Sequence, residues 1–148
     1  MFTKLYRSFN SLYSKISKAD EPLILSLVKT FCVPVIMFCL EALDLNTSTL
    51  AVIDTPMFNA MAKIFKTFDR NSLGWCMFYM DCLPSRHLYH KNKINFLSKM
   101  KSIDNSLIGY LFRLSGKVEL ARTLSNLAID DVHCARQGLW KLFVNNLV

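Results

Sequence analysis

"VKTFCVPVIMFCLEAL", residues 28–43, is the most apolar stretch of the chain and decides its fold. A membrane-spanning helix needs about 20 predominantly apolar residues. The apolar window here, Leu23–Leu40, is broken by Lys29, and a lysine at a helix centre costs about 2.5–3.5 kcal/mol in a bilayer. The stretch therefore predicts a buried core helix rather than a transmembrane span, with a kink at Pro34.

The composition around this helix favours a helical domain. The chain has 148 residues, the size of one domain, and 52% of them are apolar. Only four glycines and four prolines are present, and the apolar residues recur at helical spacing. We expect an all-α fold, a single compact bundle of about five to seven helices with the proline-kinked helix at its centre. The side chains predicted to be largely buried are Val28, Phe31, Val35, Phe38, Ile64, Phe65, Phe68 and Phe96.

Capping and breaking residues predict where the helices begin and end. Asp20 precedes Pro22 as a helix N-cap, Asn46, Thr47 and Ser48 make a turn and a cap for the next helix, and Gly116 should end a later one. The predicted helices span residues 3–17, 21–43, 47–68, 73–80, 85–101 and 104–114, and residues 117–127 and 133–147 are candidates for two further helices.

The cysteines indicate a reducing compartment. Their number is odd and most of them stand in apolar runs, which is typical of reduced thiols rather than of a disulfide framework. The first residues contain no apolar signal core. We therefore expect an intracellular protein, cytoplasmic or nuclear. The cysteines are Cys32, Cys39, Cys76, Cys82 and Cys134.

The net charge of +7 is concentrated in two basic groups. No acid occurs between Asp81 and Asp104, a segment that also carries His87 and His90. A basic surface of this kind attracts polyanions, chiefly nucleic acid; the alternative is a solvated helical face on an ordinary basic protein. The basic residues are Arg86, Lys91, Lys93, Lys99 and Lys101 in this segment, and Lys63, Lys66 and Arg70 before it.

A zinc site is disfavoured by the spacing of its possible ligands. Five residues separate Cys76 from Cys82, and His87 and His90 follow after four and two more. This matches no compact zinc knuckle or finger, and Cys76 stands in the core-like run "WCMFYM". We therefore expect no metal site.

Catalytic constellations are disfavoured as well. Asp130 and Asp131 resemble a polymerase pair, but no strand hairpin pattern surrounds them, so a turn or helix cap is the better interpretation. His133 and Cys134 are adjacent, and adjacent residues of a helix diverge too far to form a dyad. The sequence predicts no catalytic residue and no cofactor.

Five short motifs in a fixed order carry a resemblance to a known family. They resemble the segment that follows the catalytic palm in reverse transcriptases of non-LTR retrotransposons, of the LINE, jockey and CR1 kind. Phe31 and Phe38 stand where that family often has tyrosine, Lys63 replaces an arginine, and Cys39 replaces a small residue. The motifs are "LYRSFNSLYSKI" (5–16), "LILSLVKTFCVPVIMFCLEAL" (23–43), "FNAMAKIF" (58–65), "LPSRHLYHKNKINFLSKM" (83–100) and "DNSLIGYLF" (104–112).

The resemblance implies a helical thumb and post-palm region over residues 1–115, which grips template and primer behind an active site. Residues 116–148 form a helical tail of unknown origin. The implied partner is an RNA–DNA hybrid or other nucleic acid, held by backbone contacts from the eight basic residues named above. RNA-directed DNA synthesis requires the palm, so the chain alone should not extend a primer.

A second class of function stays open at this stage. The chain could be a small helical protein that binds another protein or a membrane surface, with the basic residues serving solubility. Apolar surface left exposed would also permit self-association.

Overall fold

The computed structural model describes most of the chain, and every regular element in that part is helical. The contacts divide the chain into two compact units, Met1–Arg86 and His87–Asn146. The described residues are 2–103, 106–127, 135–145 and 147.

The first unit is built around the apolar stretch. A π-helical turn, Val28–Cys32, joins α2 and α3 into one continuous helical segment, and a short 3₁₀ turn, Leu40–Ala42, follows it. Helix α1 packs against this π turn, α3 and α4, and α5 packs against α4. The α-helices are α1 Phe2–Ile16, α2 Glu21–Leu27, α3 Val33–Met37, α4 Thr47–Phe65 and α5 Arg70–Tyr79.

The second unit contains most of the basic helix. A second π turn, Phe112–Gly116, joins α7 and α8. Counted with their π turns, the helices of the described residues form seven continuous segments without a strand, which confirms the predicted all-α fold of five to seven helices. The remaining helices are α6 Ser85–Ser102, α7 Ser106–Leu111, α8 Lys117–Asn126 and α9 Ala135–Asn145.

The π turn before Pro34 decides which face of the α2–α3 segment is buried. A π turn closes hydrogen bonds from residue i to i+5 and so takes up one extra residue; the Val33 N–H donates to the Val28 carbonyl. As a result the buried face advances in steps of four, from Ile24 through Val28 and beyond. The buried residues of this face are Ile24, Val28, Cys32, Ile36 and Leu40.

The predicted core was therefore partly wrong. Val28 and Ile64 are buried, and Phe65 and Phe96 are half-buried. Phe31, Val35 and Phe38 follow ordinary 3.6-residue spacing from Val28, and the extra residue of the π turn moves them to the exposed face. Phe68 is 81% exposed because α4 ends before it, at Lys66 in the left-handed conformation (φ 53°).

Two predicted helix boundaries also differ. The segment predicted to run to residue 43 ends at Met37, because Phe38 leaves the helical conformation and Cys39 is left-handed (φ 59°). Gly116 does not end a helix: its φ and ψ of −62° and −34° are helical. A Cβ there would lie 2.7 Å from the Phe112 ring, so glycine serves close packing within the π turn.

Side-chain caps begin two helices of the first unit. The Asn46 side chain accepts a hydrogen bond from the Thr49 N–H at 2.8 Å, as its sequence position predicts. Asp69 accepts from the Ser72 N–H at 2.7 Å and begins α5 three residues earlier than predicted. The hydrogen bonds that Ser72 donates to the Asp69 carboxylate hold the pKa of Asp69 below its usual value.

Lys29, the charge inside the apolar stretch, binds the end of α5. Its ammonium group donates to the carbonyls of Met80 at 2.7 Å and Asp81 at 2.9 Å. Lysine at a helix C-terminus satisfies carbonyls that have no partner within the helix and complements the helix dipole. In the described part of the chain, Glu21–Ala42 is the one helical segment long and apolar enough to cross a membrane, and less than half of its most apolar window is buried.

The core of the second unit forms where α6, α8 and α9 meet. Ile94 and Leu139 are completely buried, and three leucines of the α8 region pack against them. These are Leu120, Leu124 and Leu127. This packing fixes the orientation of α8 and brings Glu119 towards α6.

Candidate nucleic-acid interface

The start of the basic helix α6 is held by an acid of the first unit. The Asp54 carboxylate accepts from the Arg86 N–H at 2.8 Å and lies 3.3 Å from the Arg86 Nε. Burial raises the pKa of Asp54, and the hydrogen bonds and charge of Arg86 offset this only in part. Because the Asp54 carboxylate compensates its charge, we expect Arg86 to bind phosphate more weakly than the other exposed candidates do.

Replacing Asp54 should test this cap. We expect Asp54→Ala to lower the free energy of unfolding by about 1–2 kcal/mol, because the first turn of α6 loses its acceptor. Asp54→Asn keeps an oxygen for the Arg86 N–H and should retain most of the stability. Urea unfolding of both variants measures the difference; equal losses would contradict the capping role.

Lys93 was predicted to contact phosphate, and the structure contradicts this. Its side chain is only 2% exposed, donates to the Tyr89 hydroxyl at 3.1 Å, and forms an ion pair with Glu119. Burial lowers the pKa of Lys93, but the hydrogen bonds and charge of Glu119 and Tyr89 outweigh it, so the pKa is raised. Lys93 is thus a positively charged core residue that ties α6 to α8.

The remaining lysines of α6 are accessible. Lys99 and Lys101 are exposed in its last turns, and Lys91 is half-buried. Within the described residues neither Lys99 nor Lys101 is held in an ion pair. This end of the helix can therefore present two positive charges to a polyanion.

The earlier basic group lies on the first unit and combines charge with aromatic contacts. The Lys63 ammonium lies 4.9 Å from the Tyr13 ring centroid, and the Arg70 guanidinium 5.1 Å from that of Phe58. Both residues stay exposed, as does Lys66 at the end of α4. Cation–π contacts of this kind orient a charge without neutralising it.

The structure distributes the predicted site residues over both units. Lys63, Lys66, Arg70 and Arg86 belong to the first unit. The residues of the second unit are Lys91, Lys93, Lys99 and Lys101. Of the eight, Lys93 is the one that is removed from the surface.

Sequence reasoning missed an aromatic group on α5. The rings of Trp75 and Tyr79 lie 6.4 Å apart, and Phe78 contacts both of them edge-on. Tyr79 is largely exposed. The spacing i, i+3, i+4 within "WCMFY" was the available signal. Exposed aromatic rings can stack on unpaired bases.

No group of three or more metal-binding side chains occurs among the described residues. Burial raises the pKa of the Cys82 thiol to about 11, so this thiol stays protonated near neutral pH and is a poor nucleophile. The predictions for Asp130, Asp131, His133 and Cys134 fall outside the residues that the structure describes.

Comparisons with models of protein families, with curated proteins and with solved structures found no match to this chain.

Proposed function

We propose that this chain is a nucleic-acid-gripping region similar to the thumb and post-palm segment of a retroelement RNA-directed DNA polymerase. It binds an RNA–DNA hybrid along its backbone, and the chemistry belongs to a palm that these 148 residues do not include. The observation that carries the proposal is the pair of exposed lysines, Lys99 and Lys101, at the end of an acid-free helix. The order of the five sequence motifs and the all-α fold support it.

The binding mode follows from lysine chemistry. A lysine ammonium is a point charge suited to phosphate oxygens, without the planar fork that reads base edges. With Lys93 buried, α6 offers Lys91, Lys99 and Lys101. Three phosphate contacts correspond to a log–log salt slope of about −2 to −3, and affinity at physiological salt falls in the range of ~10⁻⁴–10⁻⁶ M. Binding should be insensitive to base sequence.

The test is fluorescence anisotropy of a labelled RNA–DNA hybrid across a salt series. Lys99→Glu with Lys101→Glu should weaken binding at least tenfold and make the salt slope shallower by about two phosphate contacts. The matched control reverses two exposed charges at the end of α1 and in the turn that follows it, Lys15→Glu with Lys18→Glu. If both double variants lose affinity equally, net charge rather than this end of α6 explains the binding. A parent chain without saturable binding refutes the proposal.

A second candidate function rests on the exposed apolar face of the α2–α3 segment. Leu23, Phe31, Val35 and Phe38 all lie on the surface, and Phe38 is 76% exposed. On a chain with net charge +7, such a face fits the surface of an anionic membrane. Co-sedimentation with vesicles of anionic lipid should then be lost in Phe31→Ser with Phe38→Ser and kept in Phe68→Ser. If the double variant binds vesicles as well as the parent chain does, this face is not the membrane-binding surface.

A further inference from the structure

The α7–α8 segment carries an apolar stripe on its outer side. Tyr110, Leu114 and Val118 follow one another at intervals of four residues, and Leu107 and Leu111 lie beside them. All five side chains are between 46% and 68% exposed. Because the segment contains the π turn Phe112–Gly116, a continuous face advances across it in steps of four residues.

The opposite side of the same segment already has its packing partners. Leu120 and Leu124 pack against the Ile94–Leu139 core, and Glu119 pairs with Lys93. The segment is therefore held in place by its inner side, and the outer stripe is not needed for the core of the second unit. A contiguous exposed patch of several large apolar residues marks an interaction surface.

The charges beside the stripe are all of one sign. Arg113 and Lys117, four residues apart, are exposed along one edge, and Arg122 is exposed in the next turn. The single acid between residues 106 and 126 is Glu119, which faces Lys93 on the inner side. The rim of the stripe is thus basic.

We propose that this stripe docks an amphipathic helix of another protein whose apolar face is bordered by acidic residues. Leucines at helical spacing supply the anchors, and the basic rim selects acidic flanks. A second copy of this chain is the poorer occupant, because pairing two such stripes would place Arg113 and Lys117 of one copy beside the same charges of the other. This inference does not depend on nucleic-acid binding.

The test uses the full chain and two labelled synthetic helical peptides with identical leucine heptads. One peptide carries glutamate and the other lysine at the positions flanking its apolar face, and both are used below the concentration of self-association. We expect the glutamate peptide to bind at least tenfold more tightly by fluorescence anisotropy. Leu111→Asp with Leu114→Asp should weaken that binding at least tenfold, whereas Val52→Asp, at an exposed apolar position on α4, should not.

A charge exchange keeps the test decisive if the aspartate variant fails to fold. Arg113→Glu with Lys117→Glu should reverse the preference between the two peptides, while Lys15→Glu with Lys18→Glu, the same charge change at two exposed positions of the first unit, should leave it unchanged. Equal binding of both peptides to the parent chain overturns the proposal. The proposal is also overturned if neither peptide binds and the stripe has another occupant. That occupant would be a second copy of the chain or an anionic vesicle, whose association with the parent chain Leu111→Asp with Leu114→Asp abolishes.

Discussion

Glu119→Leu is expected to lower the free energy of unfolding by about 3–5 kcal/mol, because it breaks the ion pair that Glu119 forms with the buried Lys93 ammonium. Lys93 is almost completely enclosed, and in the parent chain its ammonium forms the ion pair with Glu119 and donates to the Tyr89 hydroxyl. A loss of this size is a large fraction of the stability of an ordinary domain, which is about 5–15 kcal/mol. Urea unfolding monitored by circular dichroism measures it.

The pH dependence of this loss of stability distinguishes the loss of an ion pair from simple disturbance of packing. In the parent, the raised pKa of Lys93 means that its stabilising contribution is complete below the ordinary value of 10.5 and is lost only above it. Glu119 is one of the groups that raise the pKa of Lys93, so its removal shifts this pKa downwards, in the direction in which burial also acts. The difference in the free energy of unfolding between parent and variant should therefore narrow as the pH rises through the lower pKa of Lys93 in the variant towards the raised pKa in the parent. A constant difference would contradict the assignment.

A double substitution provides the control. Lys93→Met with Glu119→Leu removes both charges and leaves apolar side chains of similar size. Replacing a buried ion pair in this way is often neutral or stabilising by about 1–4 kcal/mol. We expect the double variant to recover most of the stability that Glu119→Leu loses.

Lys29→Met is expected to lower the free energy of unfolding by about 2–3 kcal/mol, because two carbonyls at the end of α5 lose a charged donor. Methionine keeps the apolar stem of the side chain, so the loss reports on the hydrogen bonds to Met80 and Asp81. Thermal or urea unfolding measures the change.

The control for this substitution is Lys66→Met, which removes a positive charge from an exposed position at the end of α4. It should change stability by less than about 0.5 kcal/mol. If Lys29→Met lowered the free energy of unfolding by no more than Lys66→Met does, the hydrogen bonds at the end of α5 would contribute little to folding. The lysine within the apolar stretch would then need another explanation.

The helical class of the fold could be predicted from composition and spacing, and so could the cap at Asn46. The buried face of the α2–α3 segment could not be predicted, because apolar residues occur on all sides of this segment. Phe31 and Val35 fit one helical face as well as Cys32 and Ile36 fit another. Only the π turn decides between them, and it arises in the packed structure next to Pro34.

The candidate interface was predictable as a set of charges but not as a surface. Lys93 and Lys99 are indistinguishable in a list of lysines, yet one is buried and the other exposed. What separates them is Glu119, 26 residues further along the chain than Lys93, which α8 brings back onto α6. Asp54 likewise reaches Arg86 from a helix 32 residues away in sequence. Pairings of this range depend on tertiary structure, which no local spacing encodes.

The π turn at Val28–Cys32 has a consequence for how chain length can vary among relatives of this protein. Removing Thr30 would convert the steps of four between Val28, Cys32 and Ile36 into steps of three and four, which an uninterrupted α-helix accommodates with the same side chains inside. A chain one residue shorter at this place can thus keep the same core. Aligned relatives should accept a single-residue gap within residues 28–32, whereas a gap elsewhere in the same segment would rotate the buried face away from its neighbours.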